Sequence, residues 1–215
     1  MKKLILSAVV LLFITGCQSA YYATMEKFGV HKREILVDRV EETKESQQAS
    51  QQEFQSALER LTTLINFDGG ELQEAYELLN DDYQASMAAA EAVSSNINKV
   101  EDVANALFDE WADELEQYSS DKLKRQSARQ LSSTQRQFER LLRSMRSSEA
   151  KMQPVLDSLQ DNVLYLKHNL NAQAISAIKG EFTGLKRDIS ALIADMNRSI
   201  EDSNKFIAEM NANRG

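Results

Sequence analysis

Apolar residues recur every third or fourth position along most of the chain, and four stretches keep that spacing long enough to predict helices at about residues 20–66, 71–118, 121–170 and 172–212. In the second stretch Tyr76, Tyr83, Ala90, Ile97, Ala104, Trp111 and Tyr118 stand seven apart, with Leu79, Val93, Val100 and Leu107 between them. This is the two-row pattern of a helix packed along a heptad seam, and it places Trp111 and Tyr118 in the core. The third carries Leu131, Phe138, Met145, Met152, Leu159 and Leu166, partnered by Leu142, Leu156, Val163 and Leu170. The fourth carries Ile175, Phe182, Ile189, Met196 and Met210 beside Ile178, Leu185, Leu192 and Phe206, with Ser203 interrupting the first row. The first stretch is less regular. Met25, Phe28, Ile35, Leu36 and Val40 give way to an apolar-poor run from Glu41 to Gln52 before Phe54, Leu58, Leu61 and Ile65 resume. A helix with a loosely packed middle is the expectation there.

The links carry turn and capping chemistry. Phe67-Asp68-Gly69-Gly70 supplies two glycines for a reversal, while Ser119-Ser120-Asp121 and Asn169 to Asn171 offer N-caps. Rods of 41 to 50 residues would be roughly 60–75 Å long. Similar lengths and short links predict an all-α, elongated antiparallel four-helix bundle, coiled-coil-like and up-down-up-down, forming one domain over residues 20–215. Pro154 falls inside the third series, where it should kink the rod rather than end it.

The amino-terminal residues have a different pattern. Lys2-Lys3, an apolar run from Leu4 to Ile14 and then Thr15-Gly16-Cys17 resemble a bacterial lipoprotein signal, with residues 1–16 as the cleaved peptide and residues 17–19 as the lipidated start. The run is too short for a full membrane span. The resemblance implies acylation of Cys17 and a lasting anchor. Gln18 stands where an aspartate would resemble an inner-membrane retention signal, so the expected site is the outer membrane, with the protein facing the periplasm. On this map the Asp68–Gly70 and Asn169–Asn171 turns are distal, while Ser119-Ser120 and the carboxyl terminus lie at the membrane end.

Composition narrows the possible chemistry. Cys17 is the only cysteine, which excludes a disulfide framework or cysteine-based zinc site within one chain. The formal net charge of −8 becomes about −10 without Lys2 and Lys3, and nucleic acid is not an expected partner. The charges are also segregated. Residues 71–118 hold 13 acids and one base, whereas residues 121–146 hold eight bases and two acids. Asp109, Glu110, Asp113, Glu114 and Glu116 at one helix end, and Lys122, Lys124, Arg125 and Arg129 at the next helix start, each oppose their own helix dipole. Mutual pairing across the hairpin would compensate. Alternatively, Lys122, Lys124, Arg125 and Arg129 would meet anionic lipid headgroups at the membrane end, with Tyr21 and Tyr22 as interfacial aromatics.

Ala177, Gly180, Gly184 and Ala191 form a small-residue stripe on the fourth helix, suited either to close approach of a partner helix or second protomer, or to nothing beyond a glycine-weakened surface. Met145, Met152, Met196 and Met210 have core spacing. His31 and His168 fall near opposite ends of the bundle, and Tyr165, three before His168, breaks the Glu-x-x-His pattern of a di-iron bundle. No cofactor, metal or catalytic group is expected, and the chain is read as non-enzymatic.

The stretch from Tyr21 to Val40, YYATMEKFGVHKREILVDRV, resembles the opening of a family of uncharacterised lipoproteins of Gram-negative proteobacteria, and the resemblance extends along the mature chain. It implies a domain of unknown function and contributes no catalytic residues. The expected role is a structural or adaptor lipoprotein presenting helical faces to an envelope partner protein, with a homo-oligomer as one arrangement. The alternative is a membrane-surface module binding anionic headgroups through its basic end.

Overall fold

The computed structural model describes residues 32–66 and 72–212, all of whose regular elements are helices: α1 (Lys32–Ile65), α2 (Leu72–Leu115), α3 (Asp121–Glu149), α4 (Met152–His168) and α5 (Ala172–Ala212). The signal segment, Cys17, His31 and the Asp68–Gly70 turn lie outside these residues. The helices make four rods, because α3 and α4 share one. Each rod packs against the rods before and after it, and α1 packs against α5, closing an up-down-up-down ring. Antiparallel pairing is fixed by cross-rod contacts: Lys32 with Glu110 (2.9 Å) at one end of the α1–α2 pair and Arg60 with Asp82 (3.0 Å) towards the other. The predicted caps form as expected. Ser120 Oγ accepts from Leu123 N, and Asn171 Oδ1 accepts from the backbone N–H groups of Gln173 and Ala174 (2.9 and 3.1 Å).

The heptad rows supply the core, including Leu79, Val93, Ile97, Val100 and Ala104 of α2 and Leu131, Phe138, Met145, Met152, Leu159 and Leu166 of α3 and α4. Phe138 links three rods, with its ring edge-on to Phe108 (5.6 Å) and Phe206 (6.1 Å). Several predicted positions are less buried than expected. Tyr118 and Leu170 are exposed, and Tyr76, Trp111, Leu142, Ile175 and Phe182 are only partly covered. In α3 the second row is instead Thr134, Leu141 and Ser148, whereas in α4 the predicted Leu156 and Val163 are buried, beside Val155 and Asn162.

Pro154 interrupts the third rod more than a simple kink implies. Its missing N–H and its ring act on the carbonyl four residues earlier, that of Ala150, and the helix breaks at Ala150–Lys151. Both residues keep right-handed helical dihedrals, and Lys151 N bonds the Ser148 carbonyl at 3.2 Å, so the rod continues beyond the break.

The largest departure lies at this same level of the bundle. The middle of α1 is not loosely packed: Thr43, Gln47 and Ser50 are fully buried. Gln47 Nε2 donates to Ser148 Oγ (3.1 Å) on α3 and to Ser199 Oγ (3.0 Å) on α5, tying three rods together. On the rim Gln51 Nε2 donates to the Ile193 carbonyl and to Asn197 Oδ1, and Lys44 donates to Asn204. Polar side chains thus occupy core positions without stopping the helix: the Gln47 amide N–H group is satisfied by neighbouring rods and Thr43 Oγ1 donates to the Arg39 carbonyl within α1, while Gln47 Oε1 and Ser50 Oγ are buried with no hydrogen-bond partner among the described residues. Asp195, 4% exposed, completes the layer, with its carboxylate facing Lys151 at the break in the third rod and Arg198 one turn along α5.

Candidate functional site

The α2–α3 turn brings the two oppositely charged segments side by side. Its conformation follows from the end of α2, where Glu116 N and Gln117 N bond the carbonyls of Asp113 and Glu114, and from the Ser120 cap that starts α3. Trp111 is half-buried beneath this end, its Nε1 donating to Ser127 Oγ (2.8 Å) and its ring carrying the Arg33 guanidinium at 5.2 Å.

Mutual pairing explains little of the charge. Lys124 reaches Glu116 across the turn (3.0 Å), an exposed pair worth about 0.2–1 kcal/mol. Farther along, Arg146 bonds Glu101 (2.6 Å) and Glu149 (2.9 Å). Partial burial works against the Arg146 charge, but these two carboxylates outweigh it and raise its pKa. Lys122, Arg125 and Arg129 are exposed and make no ion pair among the described residues. Four candidate contact residues thus lie on one end of α3, but only Lys124 has an acidic partner there.

The basic feature extends beyond the start of α3. Lys122, Arg125, Arg129, Arg136 and Arg140 follow at intervals of three, four, seven and four, so all five point outward from the same face of α3, and all are exposed. Arg129 and Arg140 bond backbone carbonyls of Arg125 and Arg136, and Arg136 bonds Ser132 Oγ; none of these partners is an anion. The available signal was this spacing, which carries the cationic ridge about 27 Å along the rod, well beyond the helix start. Tyr118 and Leu123, 41% and 52% exposed, flank the turn at its end.

The small-residue stripe faces outward as its spacing implies: Ala177, Gly180 and Ala191 are exposed and Gly184 is partly so. Ala177 also borders an open α4–α5 groove of about 270 Å³ with Tyr165 and Ile178. A Cβ added at Gly180 or Gly184 meets nothing within 4 Å, so packing inside the bundle does not require glycine at either place. Replacing both by alanine is expected to add about 1–2 kcal/mol of stability by removing helix-interior glycine. Thermal denaturation should show a rise in Tm of about 3–6 °C.

Among the described residues, no group of three or more His, Cys, Asp and Glu side chains is placed to hold a metal ion, and no helix is long and apolar enough to cross a membrane. A comparison with curated proteins finds no match. The family model described as a protein of unknown function, DUF2959, matches residues 21–210, starting at the Tyr21 that opens the segment quoted above, and the chain belongs to that family.

Proposed function

We propose that this protein is a non-enzymatic envelope lipoprotein, tethered through Cys17 to the outer membrane and facing the periplasm, whose rod serves as a structural or adaptor module. The carrying observation is the unpaired cationic ridge on α3. Five outward charges with no acidic partner among the described residues form a surface for an acidic protein face. The length of the ridge favours protein over a flat membrane. With the rod upright on its anchor, Arg136 and Arg140 stand about 20 Å or more above Lys122, beyond a Debye length of about 8 Å. In-cell photocrosslinking from Lys122, Arg136 and Gly184, read by mass spectrometry, should give one defined protein adduct from Arg136. Adducts confined to lipid would overturn the adaptor reading.

One observation favours the lipid alternative. Tyr118 and Leu123 are exposed beside Lys122 and Lys124, a grouping suited to an anionic interface. Vesicle flotation of an unlipidated Cys17→Ser chain, with and without the four bases Lys122, Lys124, Arg125 and Arg129 reversed to glutamate, tests it: binding to anionic vesicles that the reversal abolishes supports this reading, and indifference to the charges removes it.

A further inference from the structure

The face formed by α2 and α3 carries two parallel stripes of opposite sign at the same level of the bundle. On α3 they are the cations Lys122, Arg125 and Arg129; Arg136 and Arg140 continue the row beyond the level of the acids, and Arg140 borders a groove with Asp202, Lys205 and Glu209 of α5. On the end of α2 and the turn after it, Asp109, Asp113 and Glu116 repeat at intervals of four and three and are exposed. Asp109 and Asp113 make no ion pair among the described residues, and Glu116 is engaged only by Lys124. The Glu116–Lys124 and Trp111–Ser127 contacts fix the level, setting Asp113 beside Arg125 to Arg129 across the intramolecular seam. The two rows are neighbours, yet they point to solvent rather than to each other.

A positive and a negative stripe side by side match the same face of another copy turned by half a rotation about an axis parallel to the rods. That rotation places α3 of each copy opposite α2 of the other, at the same height and with both α1 starts at the same end. We infer that this face is a self-docking surface on which two copies of the chain pair in parallel. The inference rests on reading α3 as a protein-docking face and names its occupant. A planar anionic membrane fits less well, because a surface laid on α3 also meets the carboxylates of α2. A uniformly acidic partner meets the same repulsion.

Charge exchange tests this with the full chain in a neutral detergent. One variant reverses the α3 stripe (Lys122→Glu, Arg125→Glu, Arg129→Glu), and a second reverses the acidic stripe (Asp109→Lys, Asp113→Lys, Glu116→Lys). Sedimentation at low ionic strength should find the unsubstituted chain dimeric, with each variant weakened by about tenfold or more on its own. Mixing the two should restore a mixed dimer, because one of its two seams then pairs reversed charge with reversed charge in the favourable sense. Asp113→Cys in one copy and Arg129→Cys in the other should form a crosslink only in the mixture. Circular dichroism of each variant separates lost pairing from lost folding, and rescue on mixing requires folded chains. A monomer at all concentrations, or a dimer unaffected by either reversal, overturns the inference. If Arg136 still crosslinks to a different protein in cells, the adaptor reading survives that result; if it yields only lipid, both fail.

Discussion

Replacing Phe138 by alanine is expected to lower stability by about 4–5 kcal/mol and Tm by roughly 10–15 °C, the largest loss from a single substitution in the core. Phe138 is 4% exposed, so truncation removes a buried ring and leaves a cavity, an effect worth about 3–5 kcal/mol. It also loses two edge-on ring contacts, to Phe108 and Phe206, each worth about 0.5–1.5 kcal/mol beyond burial. Phe108→Ala and Phe206→Ala each lose only one such contact to Phe138 and should fall short of the Phe138 effect. Urea denaturation of the three variants measures the order. A Phe138 loss below about 2 kcal/mol would mean that the three rods relax into the space, contrary to close packing at this level.

Removing both cations around Asp195 should have a comparable effect with a different signature. Asp195 is 4% exposed, whereas Lys151 and Arg198 are 49% and 68% exposed. The geometry is therefore asymmetric. If Asp195 is removed, the cations rehydrate where they stand; if the cations are removed, a carboxylate stays in the core with no compensating charge. Lys151→Met with Arg198→Met is expected to cost about 3–5 kcal/mol. Adding Asp195→Ala to that pair should return most of the loss, making the triple substitution more stable than the double. Thermal melts decide by sign: a triple variant weaker than the double would show that Asp195 stabilises the bundle through something other than these two charges.

Both sites show what was legible in the sequence. The class of fold was readable because apolar residues keep heptad phase through α2, α3, α4 and α5, and Phe138 sits on such a row. The polar layer leaves no trace in the apolar residues alone. The α1 phase never lapses: Val40, Gln47, Phe54 and Leu61 form one row of seven-residue steps, and Leu36, Thr43, Ser50, Ala57 and Leu64 form the other, all of them buried. Polar occupants at Gln47, Thr43 and Ser50 hid a continuous pattern. Whether a glutamine can be buried depends on hydroxyls from chain-distant residues, here Ser148 and Ser199, and no local signal announces them. The charge segregation was equally plain in the sequence. Its outcome depended on rotational phase, which turns Asp113 and Arg129 outward instead of towards each other.

The Gln47 layer also has a consequence for alignment. Heptad rods resemble racks whose teeth match again after each repeat, so α1 displaced by seven residues, about 10.5 Å, would still present mostly apolar teeth to its neighbours. Such a slip carries the Gln47 amide to the level held by Val40 or by Phe54, where the core is apolar, and strands Ser148 and Ser199 without their donor. A single amide therefore works as the zero mark on an otherwise repeating scale. It sets the height of α1 against the Ser148 level of α3 and the Ser199 level of α5, a fixed point that the apolar rows alone do not supply.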